Sequence, residues 1–167
     1  DVWAESSYEN LGVGGQTWVD LQEDAPTTVD VLYDGDLAGN VLVALCGGND
    51  LFSGTNPKEY VYDNLVSYCL GRKDAGFTVV VCTILPITAS GVSGTYATDR
   101  AWINARILLN YALFADAVAD IGGDSTIGDD NDSDDTDYYS SDKTHLNDAG
   151  AAVAAEIIKD AILGLVP

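Results

Sequence analysis

Val41 to Asp50, VLVALCGGND, constrains the fold more than any other stretch, because an apolar run that stops on Gly-Gly-Asn-Asp joins a buried strand to a polar turn. The five apolar residues from Val41 to Leu45, β-branched at 41 and 43, read as a strand covered on both faces, the pattern of a parallel sheet. Gly47 and Gly48 permit backbone angles and close approaches that a side chain forbids, and they set Asn49 and Asp50 at the carboxyl edge of that sheet. Ligands of open α/β sheets bind at this edge. Taken alone, the tetrapeptide also fits an ordinary strand-to-loop turn.

The rest of the chain supplies partners for that strand. Residues 8–17, YENLGVGGQT, predict a short strand running into a glycine-rich turn, followed by a helical turn from Trp18 to Glu23. Gly12, Gly14 and Gly15 half-match the dinucleotide fingerprint, but its third glycine position falls on Thr17 and no βαβ unit opens there, so a plain glycine-rich turn is the better reading. Ala25 to Asn40, punctuated by Pro26, Gly35 and Gly39, predicts a surface connection with one helical turn around Val29 to Tyr33. A loop is expected after Asn49. Asn56-Pro57 then opens a helix carrying Tyr60, Leu65, Val66 and Cys69 at helical spacing, ended between Gly71 and Gly76. Phe77 to Thr83 is the next buried strand, stopped at Leu85-Pro86, and Ala89 to Ala97 is a loop that could flank a site. A helix over Asp99 to Phe114, a short strand over Ala115 to Ile121, a polar break over 122–141 and a last helix from Asp148 to about Leu163, capped by Asn147, complete the pattern. Strands alternating with helices call for a three-layer α/β/α sandwich with a mainly parallel sheet, here a single domain over residues 1–167.

Composition narrows the partners. A formal charge of −20, from 27 acidic residues against seven Lys and Arg, repels nucleic acid and anionic membrane, and is of a kind common in secreted or salt-adapted proteins. No apolar run approaches the length of a membrane span, and no basic-then-apolar leader opens the sequence. The absence of methionine marks the chain, as an expectation, as a processed or trimmed product or part of a longer one. Cys46, Cys69 and Cys82 lie among apolar neighbours without the spacing of a metal or redox motif; they read as buried thiols, with a Cys46–Cys82 pair as the alternative.

The one histidine, His145, lies in Asp142-Lys143-Thr144-His145 ahead of the last helix. A lone histidine is more often a surface residue than a catalyst. This one follows the last strand, so it belongs to the same sheet edge as Asn49, and a carboxylate three residues earlier could fix its tautomer and leave the other ring nitrogen free as a general base.

Taken together, NLGVGGQT, GGND and DKTHLNDAG before a terminal helix resemble the second, third and fifth sequence blocks of the SGNH (GDSL-type) hydrolases, in order and at family-like spacing. TVVVCTILP and FADAVADIGGD are similar to the family's later strands, so the likeness spans nearly the whole chain. The resemblance implies an SGNH-hydrolase-like (flavodoxin-like) fold. It also implies a site in which the Gly15 N–H and the Asn49 side-chain N–H bind the oxyanion, His145 is the base and Asp142 its partner. The implied reaction is hydrolysis of a small ester, with acetylated carbohydrate as the first substrate class, through an acyl-enzyme and without cofactor or metal. The rival readings are a non-catalytic binding or structural module of the same fold and, behind it, a nucleotide-binding doubly wound domain.

The family's first block, the Gly-Asp-Ser that carries the nucleophile, should precede NLGVGGQT by a few dozen residues, and only nine residues stand there. Ser6 and Ser7 lack the preceding Gly-Asp, and Gly123-Asp124-Ser125 spells the motif at a position where the family has a variable loop. By the family's topology the nucleophile strand lies between the NLGVGGQT and VLVAL strands, whose separation without it would be about 9.6 Å. The expectation is therefore that a separate segment or chain completes the sheet and brings the serine. The acidic run Asp129 to Asp137 offers oxygen ligands of calcium type without the glycine and distal glutamate of an EF-hand, and reads as a solvated loop that lowers the potential beside His145.

Overall fold

The computed structural model describes residues 8–37 and 39–165. Three parallel strands form the sheet, β1 (Val41–Ala44), β2 (Thr78–Cys82) and β3 (Ala117–Ala119), in the order β1-β2-β3. Val41 stands opposite Thr78, and Val80 opposite Ala117. β2 is central, and its TVVVC run sorts by alternation: Val79 and Val81 join one apolar cluster while Val80 and Cys82 join a second. The first cluster holds Trp18 and Ala25 of α1 (Trp18–Thr28), Leu65 and Cys69 of α3 (Lys58–Asp74) and Ile103 and Ile107 of α4 (Tyr96–Asn110). The second holds Ala154, Ile157 and Ile158 of α5 (Asp148–Leu163). Helices thus cover both faces, giving three layers as expected.

Local chemistry sets the helix starts. Thr17 caps α1 in a reciprocal box with Asp20, whose carboxylate accepts from the Thr17 N–H at 2.7 Å. With that cap the helix extends to Thr28, beyond the single turn expected, and takes in Pro26 within its last turn. Asn147 caps α5 by accepting from the Ala149 and Gly150 N–H groups at 2.9 and 3.1 Å. α4 begins three residues before Asp99, and a 3₁₀ turn at Asp30–Leu32 occupies the expected turn in the surface connection.

The first strand is not covered on both faces as expected: β1 lies at the sheet edge with Ala44 alone buried and Val41 and Leu45 exposed, and two predicted elements also fail. Residues 8–17 form no strand: they run as an extended loop into a turn at Gly14-Gly15, with Tyr8, Leu11 and Val13 exposed. Three glycines in ten residues weaken strand pairing, and no neighbouring strand is present among the described residues to hold one. The predicted gap between two strands therefore has one wall, β1. After Gly47 the chain also enters a short helix, α2 (Gly48–Phe52), where a loop was expected. Gly47 turns the backbone at φ 107°, and a Cβ there would lie 2.6 Å from Ile84 Cδ1 and 3.2 Å from Trp18 Nε1, so glycine is required by both conformation and space. All three cysteines are free, and Cys46 is half-buried rather than buried.

Candidate active site

The carboxyl ends of β1 and β2 open into a cavity of about 690 Å³. Asn49 from the first turn of α2 and His145 from the loop ahead of α5 both line it, as do Val13 and Gln16 on either side of the Gly14-Gly15 turn. Ile84, Leu85 and Ile87, beyond the end of β2, supply an apolar wall. Sequence-distant segments therefore meet at one sheet edge.

The Asn49 half rests on the core. The Asn49 side-chain amide donates to the Gln16 carbonyl at 3.0 Å, which holds the glycine turn against α2. Gly15 sits at φ 89°, and its N–H has no hydrogen-bond partner among the described residues. Beneath it, the Asp50 carboxylate is buried and accepts from the Trp18 N–H at 3.3 Å to each oxygen, tying α2 to the start of α1. Burial pushes the Asp50 carboxyl up to about 6, opposed by its hydrogen bond from Trp18. Sequence reasoning named Asp50 only as part of the turn; its place directly after Asn49 was the available signal.

The His145 half lies near the surface. Asp142 Oδ2 is 2.7 Å from His145 Nδ1, while its other oxygen accepts from the Thr144 and His145 backbone N–H groups at 2.9 and 3.0 Å. These bonds, the histidine side chain first, hold the Asp142 carboxyl down to about 2. With Nδ1 engaged, Nε2 is the nitrogen left to exchange a proton. Lys143, between the two, adopts φ 59°. Its carbonyl accepts from the Thr88 N–H at 3.2 Å and its ammonium is 2.6 Å from Asp134, which also accepts from the Thr88 hydroxyl at 2.8 Å. Nothing in the local sequence signals that brace, since Thr88 lies 46 residues from Asp134 and further still from Lys143.

Serine does not line the cavity among the described residues. Ser125 lies outside its lining, in an exposed turn where Asp124 accepts from the Thr126 and Ile127 N–H groups at 2.8 and 3.2 Å; the Gly-Asp-Ser spelling there is a local turn. Ser6 and Ser7 lie outside the described residues. Cys46 does line the cavity, but burial and the neighbouring Asp50 charge push its thiol up to about 12, which leaves it protonated and unreactive. Among the described residues no group of three or more His, Cys, Asp or Glu side chains is arranged to hold a metal, and no helix is long and apolar enough to cross a membrane.

The model of the GDSL-like lipase/acylhydrolase family matches residues 2–153. The chain belongs to this family. A crystal structure of a protein classed as an acylhydrolase, from Bacteroides fragilis, superposes with a TM-score of 0.75 at 21% identity, covering 93% of this chain and 74% of the other. A GDSL-like lipase from Bacteroides thetaiotaomicron superposes with a TM-score of 0.68 at 18% identity, covering 93% of this chain and 75% of the other. At those identities the structures establish the shared fold, and the family match establishes the broad class, an acylhydrolase. No curated protein matches the chain.

Proposed function

We propose that this GDSL-family chain carries the oxyanion-binding and proton-transfer parts of a serine-type ester hydrolase acting through an acyl-enzyme. The observation that supports this most is that Asn49 and the Asp142-bound His145 line one cavity, with the Gly15 N–H, which has no partner among the described residues, on the same glycine turn that Asn49 holds. In this reading a serine Oγ attacks the ester carbonyl carbon and gives its proton to His145 Nε2. The new C–O bond places negative charge on the carbonyl oxygen, which the Gly15 N–H and Asn49 Nδ2 stabilise. Collapse breaks the bond to the alcohol, which leaves with the proton from Nε2. Water then repeats both steps, releasing the acid and restoring the serine. Asp142 fixes the ring and stabilises the imidazolium.

The apolar wall at Ile84, Leu85 and Ile87 suits a short acyl chain, while Asn10, Gln16 and Thr144 offer polar contacts to the alcohol part. Acetyl esters of carbohydrates are the first substrates to try. One observation favours a second reading, a non-catalytic member: serine is missing from the cavity lining of the described residues. Release of 4-nitrophenol from its acetate, compared between the product of the whole gene and its His145→Ala variant, separates the two. The hydrolase reading requires turnover that the variant loses; equal release by both, at the buffer rate, leaves the binding module.

A further inference from the structure

Beyond the end of β2 the chain is held by side chains of α4 instead of by a neighbouring strand. The last carbonyl of β3, that of Ala119, accepts from the Thr83 N–H at 3.1 Å. One residue further, the Ile84 N–H donates to Asn104 Oδ1 at 2.8 Å, and the Ile84 carbonyl accepts from Asn104 Nδ2 at 2.9 Å and from Arg100 Nη1 at 3.3 Å. The Leu85 carbonyl then accepts from the Tyr96 hydroxyl at 2.8 Å. Tyr96, Arg100 and Asn104 recur at helical spacing and so form one stripe of α4. Gly122 leaves room for this stripe, since a Cβ there would lie 2.4 Å from the Ile84 carbonyl oxygen and 2.8 Å from Asn104 Nδ2. α4 therefore fixes the segment whose Ile84, Leu85 and Ile87 side chains wall the cavity.

The cavity lining divides by exposure. Asn10, Val13 and His145 are exposed, whereas Gly47, Ile84 and Tyr96 are buried, the tyrosine to 3%. Gly48 belongs to the closed part: a Cβ on it would stand 3.4 Å from Ile87 Cδ1 and 3.6 Å from the Tyr96 hydroxyl oxygen. Space beside Asn49 is thus left by the missing side chain of Gly48 and stopped by Tyr96.

We propose that Tyr96 sets the depth of an acyl pocket at this buried end and so restricts the site to short acyl groups, with Arg100 and Asn104 as positioning residues that hold its wall. That an acyl group enters here rests on the hydrolase reading above; that Tyr96 bounds the buried end does not. An apolar chain gains by entering the closed, apolar part, while the alcohol portion, which must leave and admit water, belongs at the exposed part. Gly48 directly precedes Asn49, so a chain attached to a carbonyl bound by Asn49 meets the Gly48 side of the cavity first. A longer chain must displace Tyr96, and the ring does not yield freely, because its movement breaks the bond to the Leu85 carbonyl and leaves that carbonyl unpaired.

The test uses the product of the whole gene and measures kcat/KM on 4-nitrophenyl acetate, butyrate and hexanoate. Independently of turnover, the Gly48 and Ile87 amide resonances are followed on titration with acetamide, butyramide and hexanamide. Tyr96→Ala should raise the hexanoate-to-acetate ratio of kcat/KM by about tenfold or more, and Gly48→Ala, whose added methyl stands in the same space, should lower it by about threefold or more. Hexanamide binding should move in the same directions. Gly48→Ala decides alone if Tyr96→Ala does not fold. Asn104→Ala should narrow the spread among the three esters; an equal loss on all three overturns its positioning role. With turnover present, an unchanged ratio in a folded Tyr96→Ala or in Gly48→Ala overturns the depth limit and leaves the hydrolase reading standing. No turnover, with hexanamide binding tightened in Tyr96→Ala or weakened in Gly48→Ala, removes the hydrolase reading and keeps the depth limit. No turnover and unchanged amide binding in both variants overturns the two together.

Discussion

The two halves of the candidate site are held in opposite ways. On one side Asn49 and the Gly15 turn stand on buried structure, with Gly47 pressed against Ile84 and Trp18 and Asp50 closed off beneath. On the other, His145 and Asp142 have side chains 74% and 51% exposed and are fixed by charge and backbone bonds within one turn. Asn49 and Gly15 are themselves exposed, so the contrast lies in what stands beneath them; on the proposed reading, groups that receive a developing charge without rearranging gain from a rigid support, and those that exchange protons with water gain from access to it. The difference gives each half its own response to mutation, acid and salt.

On the proposed hydrolase reading, removing His145 should produce the largest effect and break the comparison most cleanly. His145→Ala is expected to lower kcat on 4-nitrophenyl acetate by about 10³-fold or more, with little change in Tm because the ring is exposed. Asn49→Ala should lower kcat by about 10²-fold, and because its amide also holds the Gln16 carbonyl, Tm should fall with it. A fall in Tm for His145→Ala as large as that for Asn49→Ala would show that the two halves do not differ in the way described.

Gly47→Ala tests the packed half without touching a polar group. The added Cβ meets Ile84 at 2.6 Å in a left-handed backbone region, and a loss of about 2 kcal/mol in urea unfolding is expected. Wild-type stability would mean that the β1–α2 turn is looser than its contacts indicate.

The two carboxylates should respond to pH in opposite directions. Asp50 rises from an ordinary 3.8 to about 6 on folding, so between those values the folded state binds more protons than the unfolded chain and stability falls as pH rises. Its contribution is fully present below pH 3.8 and lost through about 6. Asp142, lowered to about 2, contributes above 3.8 and loses its contribution as pH falls through 2. Asp50→Asn should therefore flatten the stability profile between pH 4 and 6 by on the order of 1 kcal/mol, while the loss of the lowered carboxyl in Asp142→Asn acts on the acid limb below pH 3.8. Parallel profiles for the two variants would remove the contrast.

What the sequence could announce divides along the same line. TVVVC is legible as a buried strand because burial on both faces leaves an unbroken apolar run, whereas VLVA reads the same way but forms the edge strand, with Ala44 alone buried; α5 is legible from Asn147 because capping is local chemistry. The contact between Asp142 and His145 is legible because the two lie three residues apart, whereas the bond from Asn49 to the Gln16 carbonyl spans 33 residues and has no local signal. The strand predicted over residues 8–17 fails because strand formation depends on a neighbour that the segment itself cannot supply. The α2 helix fails because Gly-Gly reads as a breaker while here Gly47 serves as the turn into it. Asp50 beneath Trp18, 32 residues away, and Asp134 against Lys143 are tertiary encounters with no periodic signature.

That last encounter carries the smallest effect and probes the exposed half most directly. Lys143 is the one non-glycine residue at positive φ among the described residues, and it links Asp142 to His145. A lysine in this region resists its own conformation, so the turn must be held from outside, and Asp134 does so through the Lys143 ammonium and the Thr88 hydroxyl. Both partners are about half exposed, so the pair is weak and screened by salt. Asp134→Asn should lower kcat about two- to fivefold at low ionic strength, with KM unchanged because neither residue lines the cavity, and 0.5 M salt should bring the wild type down toward the variant. Lys143→Gly supplies the check: glycine adopts φ 59° without strain, so if the brace acts by holding that angle, the glycine variant should keep wild-type kcat without Asp134's help. Equal losses in Asp134→Asn and Lys143→Gly would instead assign the effect to the lysine charge near His145 and not to the backbone angle.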